Sequence, residues 1–218
     1  MITAAFFDFD STIVRGDSII PFTRFLMRKG VPGFLHKLHL GFAVLLHHAR
    51  AYNNDDVKRV FARQFAGHKV DEVEKLCREF CETTLTPLVY RQARERIAKH
   101  RKDGHVVVIA SASLTVYLEM FGKQLGADHV IGTVLEQRDG AYTGRLATPN
   151  CLKEEKIVRL RAMPDFKRMH KPACFAYSDH IHDLPMLAMV GHPVLVNPES
   201  RLRKVGQQRE WPIEKWSL

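Results

Sequence analysis

The chain has 218 residues, enough for one domain or for one domain with a substantial insertion. Its apolar content of 45% and charged content of 26% are those of a globular protein, not of a disordered or bilayer-embedded chain. The formal net charge of +9 favours anionic partners such as phosphorylated metabolites or lipid headgroups, and without aromatic-basic strings or zinc-finger spacing no nucleic acid is expected.

The first predicted element is a short buried strand over Thr3–Phe9, ending in Asp8-Phe9-Asp10-Ser11-Thr12. Side chains two apart on an extended segment point the same way, so Asp8 and Asp10 share one space at the strand's carboxyl end. Two like charges that close need compensation, and carboxylate oxygens suit magnesium. The plainer reading is a strand running into an Asx-type turn.

From Phe22 to Thr86 the patterns are helical, with no strand candidate. A crossover between parallel strands needs only about a dozen residues, so this span predicts an inserted helical domain over residues 16–86. The core is then formed by residues 1–15 and 87–218. Asp17 stands at the start of the insert, where it reads equally as the N-cap of a helix beginning at Ser18.

The longest apolar stretch, Leu38 to Ala49, is too short and too polar to span a bilayer. Its neighbours Arg24, Arg28, Lys29, Lys37 and Arg50 give it a basic rim, which leaves peripheral membrane contact open beside the alternative of a buried helix. His36, His39, His47 and His48 read as solvated or packed side chains, not metal ligands. Asn53 to Asp56 supply an N-cap for a helix through Phe65 that ends at Gly67. A further helix over Val70–Cys81 places Cys77 and Cys81 on one packing face. With no secretory pattern at the start of the sequence, all four cysteines read as reduced thiols and the compartment as cytoplasmic.

Beyond Pro87 strands and helices alternate. A helix over Leu88–Lys102 stops at Asp103-Gly104, and a strand over His105–Ala110 leads into Ser111-Ala112-Ser113. A helix over Thr115–Leu125 ends at Gly126, and a strand covers His129–Ile131. Asp139-Gly140 between two β-favouring runs predicts a hairpin. A helix from Lys153 to Arg161 precedes strands over Ala173–Tyr177 and Pro193–Val196. The alternation implies an α/β fold whose mainly parallel sheet is covered on both faces. Ligands of such sheets bind beyond the strands' carboxyl ends, where Asp8, Asp10, Ser111, Asp179 and Asp183 would converge.

Four ordered motifs carry a resemblance: Asp8-Phe9-Asp10-Ser11-Thr12, Ser111-Ala112-Ser113, a lysine after Asn150-Cys151, and Ser178-Asp179-His180-Ile181-His182-Asp183. Together they resemble the haloacid dehalogenase (HAD) superfamily, in its phosphoserine-phosphatase-like subclass with a helical cap. The resemblance implies a Rossmann-like three-layer core and a phosphoric monoester hydrolase. It assigns Asp8 as nucleophile, Asp10 as general acid and base, and Ser111 and Ala112 as phosphoryl or substrate contacts. Asp8, the Asp10 carbonyl and Asp179 would hold Mg²⁺, with Asp183 behind them. The residues alone leave Lys153 and Lys156 both open as the catalytic lysine; the family spacing selects Lys156. Asp17 falls where relatives carry an acid that contacts the substrate amine. His180 and Lys153 depart from the family pattern, which often has a small residue and a glycine there. The expected substrate is a small phosphorylated metabolite such as phosphoserine. The alternatives are a phospholipid-headgroup or lysophospholipid ester at a membrane surface, phosphotransfer to an alcohol, and a non-catalytic phospho-ligand binder. Nothing in the sequence fixes the oligomeric state.

Overall fold

The structure is a computed structural model that describes residues 1–31 and 53–218. The sequence readings on Leu38 to Ala49, on His36, His39, His47 and His48, and on Lys37 and Arg50 lie outside the described residues.

Strand β1 (Ala4–Phe7) is buried on both faces, which is why it reads as an uninterrupted apolar run. It lies between β2 (Val106–Leu114) and β6 (Phe175–Ser178) in a six-stranded sheet. The outer strands are β3 (His129–Thr133), β7 (His192–Val196) and β8 (Ile213–Glu214). The order is β3-β2-β1-β6-β7-β8, and every pairing is parallel. All carboxyl ends therefore lie on one edge. A separate two-stranded hairpin, β4 (Leu135–Arg138) with β5 (Ala141–Leu146), turns at Asp139 (φ 51°) and Gly140 (φ 76°). Both turn residues are left-handed, which gives the type I′ turn that the Asp-Gly pair predicts.

Helices cover both faces, giving the three-layer Rossmann-like core expected from the sequence. One face packs α4 (Arg91–Lys102) and α5 (Thr115–Leu125) against Ala5, Phe7, Val107 and Ile109. The other packs α6 (Glu154–Ala162), α7 (Leu184–Ala188) and α8 (Ser200–Gln208) against Ala4, Phe6, Val108 and Ala176. The alternate residues of β1 thus serve two separate cores, as a period of two requires.

The segment between β1 and β2 contributes α1 (Ile19–Arg28), α2 (Asn54–Arg63) and α3 (Val70–Phe80). Asn53 caps α2 reciprocally with Asp56. The Phe22 ring lies 4.7 Å from both Phe80 and Tyr117, so the aromatic centre of these helices is continuous with α5 of the sheet's cover. Each such aromatic pair adds roughly 0.5–1.5 kcal/mol beyond its buried area. The shared cluster therefore ties the helical segment to the sheet, and fixes where its inner face stands over the strand ends.

Several boundaries differ from the sequence reading, most by one or two residues; three matter here. Strand β2 runs through Ser111–Ser113 instead of ending before them, with its pairing to β3 shifting between Ala110 and Leu114. Helix α4 begins at Arg91, because Val89 is extended and bridges Val14 and Tyr90 is also extended. Strand β8 is only two residues long, too short to leave a periodic signal.

Candidate active site

Asp8 directly follows β1, and its N–H donates to the Tyr177 carbonyl on β6 (2.9 Å), which fixes the start of the loop. One Asp8 carboxylate oxygen accepts from Lys156 Nζ at 2.9 Å. Lys156 stands on the first turns of α6 and is only 2% exposed. Its ammonium also lies 2.5 Å from Asp183 Oδ1, as an ion contact not aligned as a hydrogen bond. Ser178 donates to the other Asp183 oxygen at 2.7 Å. Arg159, one turn beyond Lys156, pairs with Glu155 and donates to the carbonyls of Gly132 and Pro149, locking α6 onto the end of β3.

Asp10 is held differently. Its two oxygens accept from the Ser18 N–H (2.7 Å) and the Ser113 hydroxyl (2.6 Å). Because Ser113 donates to Asp10, the Ser18 hydroxyl at 3.1 Å donates to Ser113 and accepts from Tyr117, 2.9 Å away. A directed chain of hydroxyls thus runs from α5 to this carboxylate, and joins the start of the helical segment to the sheet. Asp179, after β6, accepts from Thr12 at 3.2 Å. The Ser111 hydroxyl accepts from the Ser113 N–H at 3.0 Å. The Ala112 carbonyl is engaged by Thr133 (2.9 Å) and by Lys58 of α2 (3.0 Å). Helix α1 begins at Ile19 with Ser18, not Asp17, in the N-cap position; Asp17 stands one residue earlier, accepts from the Ile19 N–H at 3.0 Å and faces the cavity.

The structure brings Asp8, Asp10, Asp17, Ser111, Ala112, Lys156, Asp179 and Asp183 around one cavity of about 830 Å³. His180 and His182 also line it, with the His180 ring nitrogen accepting from the His182 N–H at 3.1 Å. Sequence reasoning missed the supports: Thr12 for Asp179, Ser18 and Ser113 for Asp10, Ser178 for Asp183, and Lys58. Ser113 and Ser178 lay inside motifs already noticed. Lys58 had no signal, since one lysine among charged helix residues looks solvated.

Electrostatics shows which charges the pocket gathers. Burial pushes the Asp8 carboxyl well up, against the pull of Lys156, and Asp183 and Asp179 push it further. Burial, and then Asp183, raise Asp179 to about 7. Burial opposes the Lys156 charge, yet Asp183 and Asp8 outweigh it and hold its pKa above the ordinary value. Asp8 and Asp183 contact one buried ammonium and Asp10 and Asp179 line the same cavity, so acids outnumber the cation at this edge. Among the described residues no three His, Cys, Asp or Glu side chains converge as a protein-only metal cage. Two carboxylates and a backbone carbonyl are instead a donor set for Mg²⁺, which keeps several waters.

The family model for haloacid dehalogenase-like hydrolases matches residues 5–188. A probable phosphatase of Mycobacterium tuberculosis is 35% identical over 218 residues, covering 99% of this chain and 76% of that protein. A phosphoserine phosphatase of the same organism is 30% identical over 224 residues, covering 100% and 72%. Among solved structures, a Bordetella pertussis protein of unknown function superimposes with a TM-score of 0.87 at 26% identity, covering 98% of each chain. The chain belongs to the haloacid dehalogenase-like hydrolase family, and it is a phosphatase of that family. Among the described residues no helix is long and apolar enough to cross a membrane.

Proposed function

We propose that the chain is a Mg²⁺-dependent phosphomonoesterase that works through an aspartyl-phosphate on Asp8. The observation that carries this reading is the Asp8–Lys156–Asp183 cluster beside Asp10 and Asp179 at one strand edge. Asp8 attacks phosphorus; its Oδ–P bond forms as the ester P–O bond breaks, and Asp10 gives the departing alkoxide a proton. A water then attacks phosphorus, Asp10 takes its proton, and the Asp8–phosphorus bond breaks to release phosphate. Ser113 and Ser18 hold the Asp10 carboxylate for both transfers. Lys156 places its charge on the phosphoryl oxygens while keeping Asp8 oriented. Ser111 contacts the same oxygens.

Phosphatases of this family generally use Mg²⁺. Here the Asp8 and Asp179 carboxylates and the Asp10 carbonyl would hold it, with Asp183 orienting Lys156 behind them. When bound, the ion screens the repulsion between carboxylate and phosphate. We take the segment 16–86 as a cap that sets the leaving group. Its substrate class is a small phosphorylated metabolite. Phosphoserine is one candidate, supported by the named relative and by Asp17 at the cavity wall.

The test is turnover of an aryl phosphate with and without Mg²⁺. EDTA should abolish activity and added Mg²⁺ restore it. Asp8→Asn should lose at least about 10⁴-fold in kcat. Undiminished turnover in Asp8→Asn would refute the nucleophile.

A further inference from the structure

The cavity above Asp8 joins a charged floor to an apolar wall. Its volume of about 830 Å³ lies in the upper part of the roughly 300–1,000 Å³ range of pockets that enclose drug-sized ligands. The strand edge forms its charged floor. Away from the floor, the wall is formed by Ile19, Ile20 and Met27 of α1, Val57 and Phe61 of α2, and Leu152. Ile19 and Met27 are eight apart, with Thr23 halfway between, so one stripe of α1 faces the cavity. The Thr23 hydroxyl donates to the Ile19 carbonyl at 2.7 Å, so even this polar residue spends its proton inside the helix. On α2, Val57 and Phe61 are four apart and form the matching stripe.

Residues of a helical segment often turn inward simply to form its core. Ile20 does not fit that account. It is 50% exposed, one of few large apolar side chains so exposed among the described residues, and it stands on the cavity. An exposed isoleucine continuing an apolar wall that reaches a charged floor is a surface awaiting hydrocarbon. The charged residues on this side are Asp17, Arg24 and Lys58, and Lys58 spends a proton on the Ala112 carbonyl.

We propose that the preferred substrate is a phosphate monoester whose leaving alcohol carries an extended hydrocarbon or ring, longer than serine, seated between the α1 and α2 stripes. The inference rests on the phosphatase reading for its reacting end. It adds that discrimination comes from apolar burial of the leaving group, not from capture of an amine and a carboxylate. The same chemistry is offered by a soluble ester and by a lysophosphatidate presented in a membrane.

The experiment measures kcat/KM of the whole chain toward ethyl, butyl, hexyl and octyl phosphate, each kept below micelle formation, and toward O-phosphoserine. Lysophosphatidate in neutral lipid vesicles is a further arm. The expected result is a rise of about threefold per added methylene, with hexyl phosphate well ahead of phosphoserine. Turnover of monomeric octyl phosphate identifies a soluble ester, and turnover of vesicle-borne lysophosphatidate alone identifies a lipid; either carries the inference. A flat or falling series without lipid turnover, or a preference for phosphoserine, overturns it. Ile20→Glu, at an exposed site that tolerates a charge, should flatten the series; an unaltered slope counts against the wall. Calorimetric binding of the same series to Asp8→Asn reads the wall without turnover. A wrong nucleophile and a wrong wall are therefore told apart.

Discussion

The two sides of the cavity are built on opposite principles. On the strand edge every carboxylate has a named partner: Lys156 for Asp8, Ser18 and Ser113 for Asp10, Thr12 for Asp179, Ser178 for Asp183. On the helical side Asp17, Arg24 and Lys58 stand beside a stripe of aliphatic and aromatic residues facing the same space, and the one hydroxyl on the α1 stripe is turned back into its own helix. Directed bonds fix where a proton or phosphoryl group can go. A nonpolar wall fixes only how much hydrocarbon leaves water. The roles proposed above therefore assign reaction and choice of substrate to different residues, which mutation can separate.

The largest expected effect is at the edge. Asp10→Asn should lower kcat by about 10²–10⁴-fold with an alkyl phosphate, whose alkoxide leaves poorly without a proton. With a nitrophenyl phosphate the loss should be much smaller, because that leaving group needs no acid. Steady-state rates on the two esters measure the split; equal losses would break the assignment of edge to proton transfer.

A third polar cluster, away from the cavity, provides a control on stability. His100 of α4 is 3% exposed, with one ring nitrogen 2.8 Å from the Tyr177 hydroxyl and the other 2.9 Å from His105. Burial first, then the charges of His105 and Arg96, lower its pKa to about 4, with Asp103 pulling the other way. The unfolded chain binds a proton near the ordinary histidine value and the folded chain does not. Stability from this group is therefore intact above about pH 6.5 and is lost as pH falls toward 4. The loss should be of order 1–2 kcal/mol, discounted because the ring lies under a thin surface layer. Thermal melts from pH 7 to 4.5 should show a steeper fall for wild type than for His100→Gln, while the two share one pH dependence of kcat.

The smallest effect is expected at the start of α6. Lys153 immediately precedes α6 with φ 54° and ψ −123°, a conformation that only glycine adopts without strain. Lys153→Gly should raise stability by about 1 kcal/mol, or roughly 2–4 °C in Tm for a chain of this size. An unchanged or lower melting temperature would show that the lysine side chain returns more than the backbone strain costs.

The edge was far more legible in the sequence than the wall. Asp8, Asp10, Ser111, Asp179 and Asp183 each follow or end an apolar run, and parallel pairing brings such ends together without further information. Lys156 was separable from Lys153 only by the family spacing; the structure places its ammonium between Asp8 and Asp183. Lys58, Ser18 and Ile20 were illegible, because their surroundings depend on where α1 and α2 stand over the sheet. That placement comes from long-range packing of Phe22 on Phe80 and Tyr117, which no local pattern reports.

The most direct measurement is acid quenching of the enzyme during turnover of a radiolabelled phosphate ester, followed by mapping of the labelled peptide. The account expects a hydroxylamine-sensitive phosphoryl group on the peptide that carries Asp8, absent from Asp8→Asn. Label on another residue, or full turnover with no label on Asp8 under conditions that trap acyl phosphates, would contradict it.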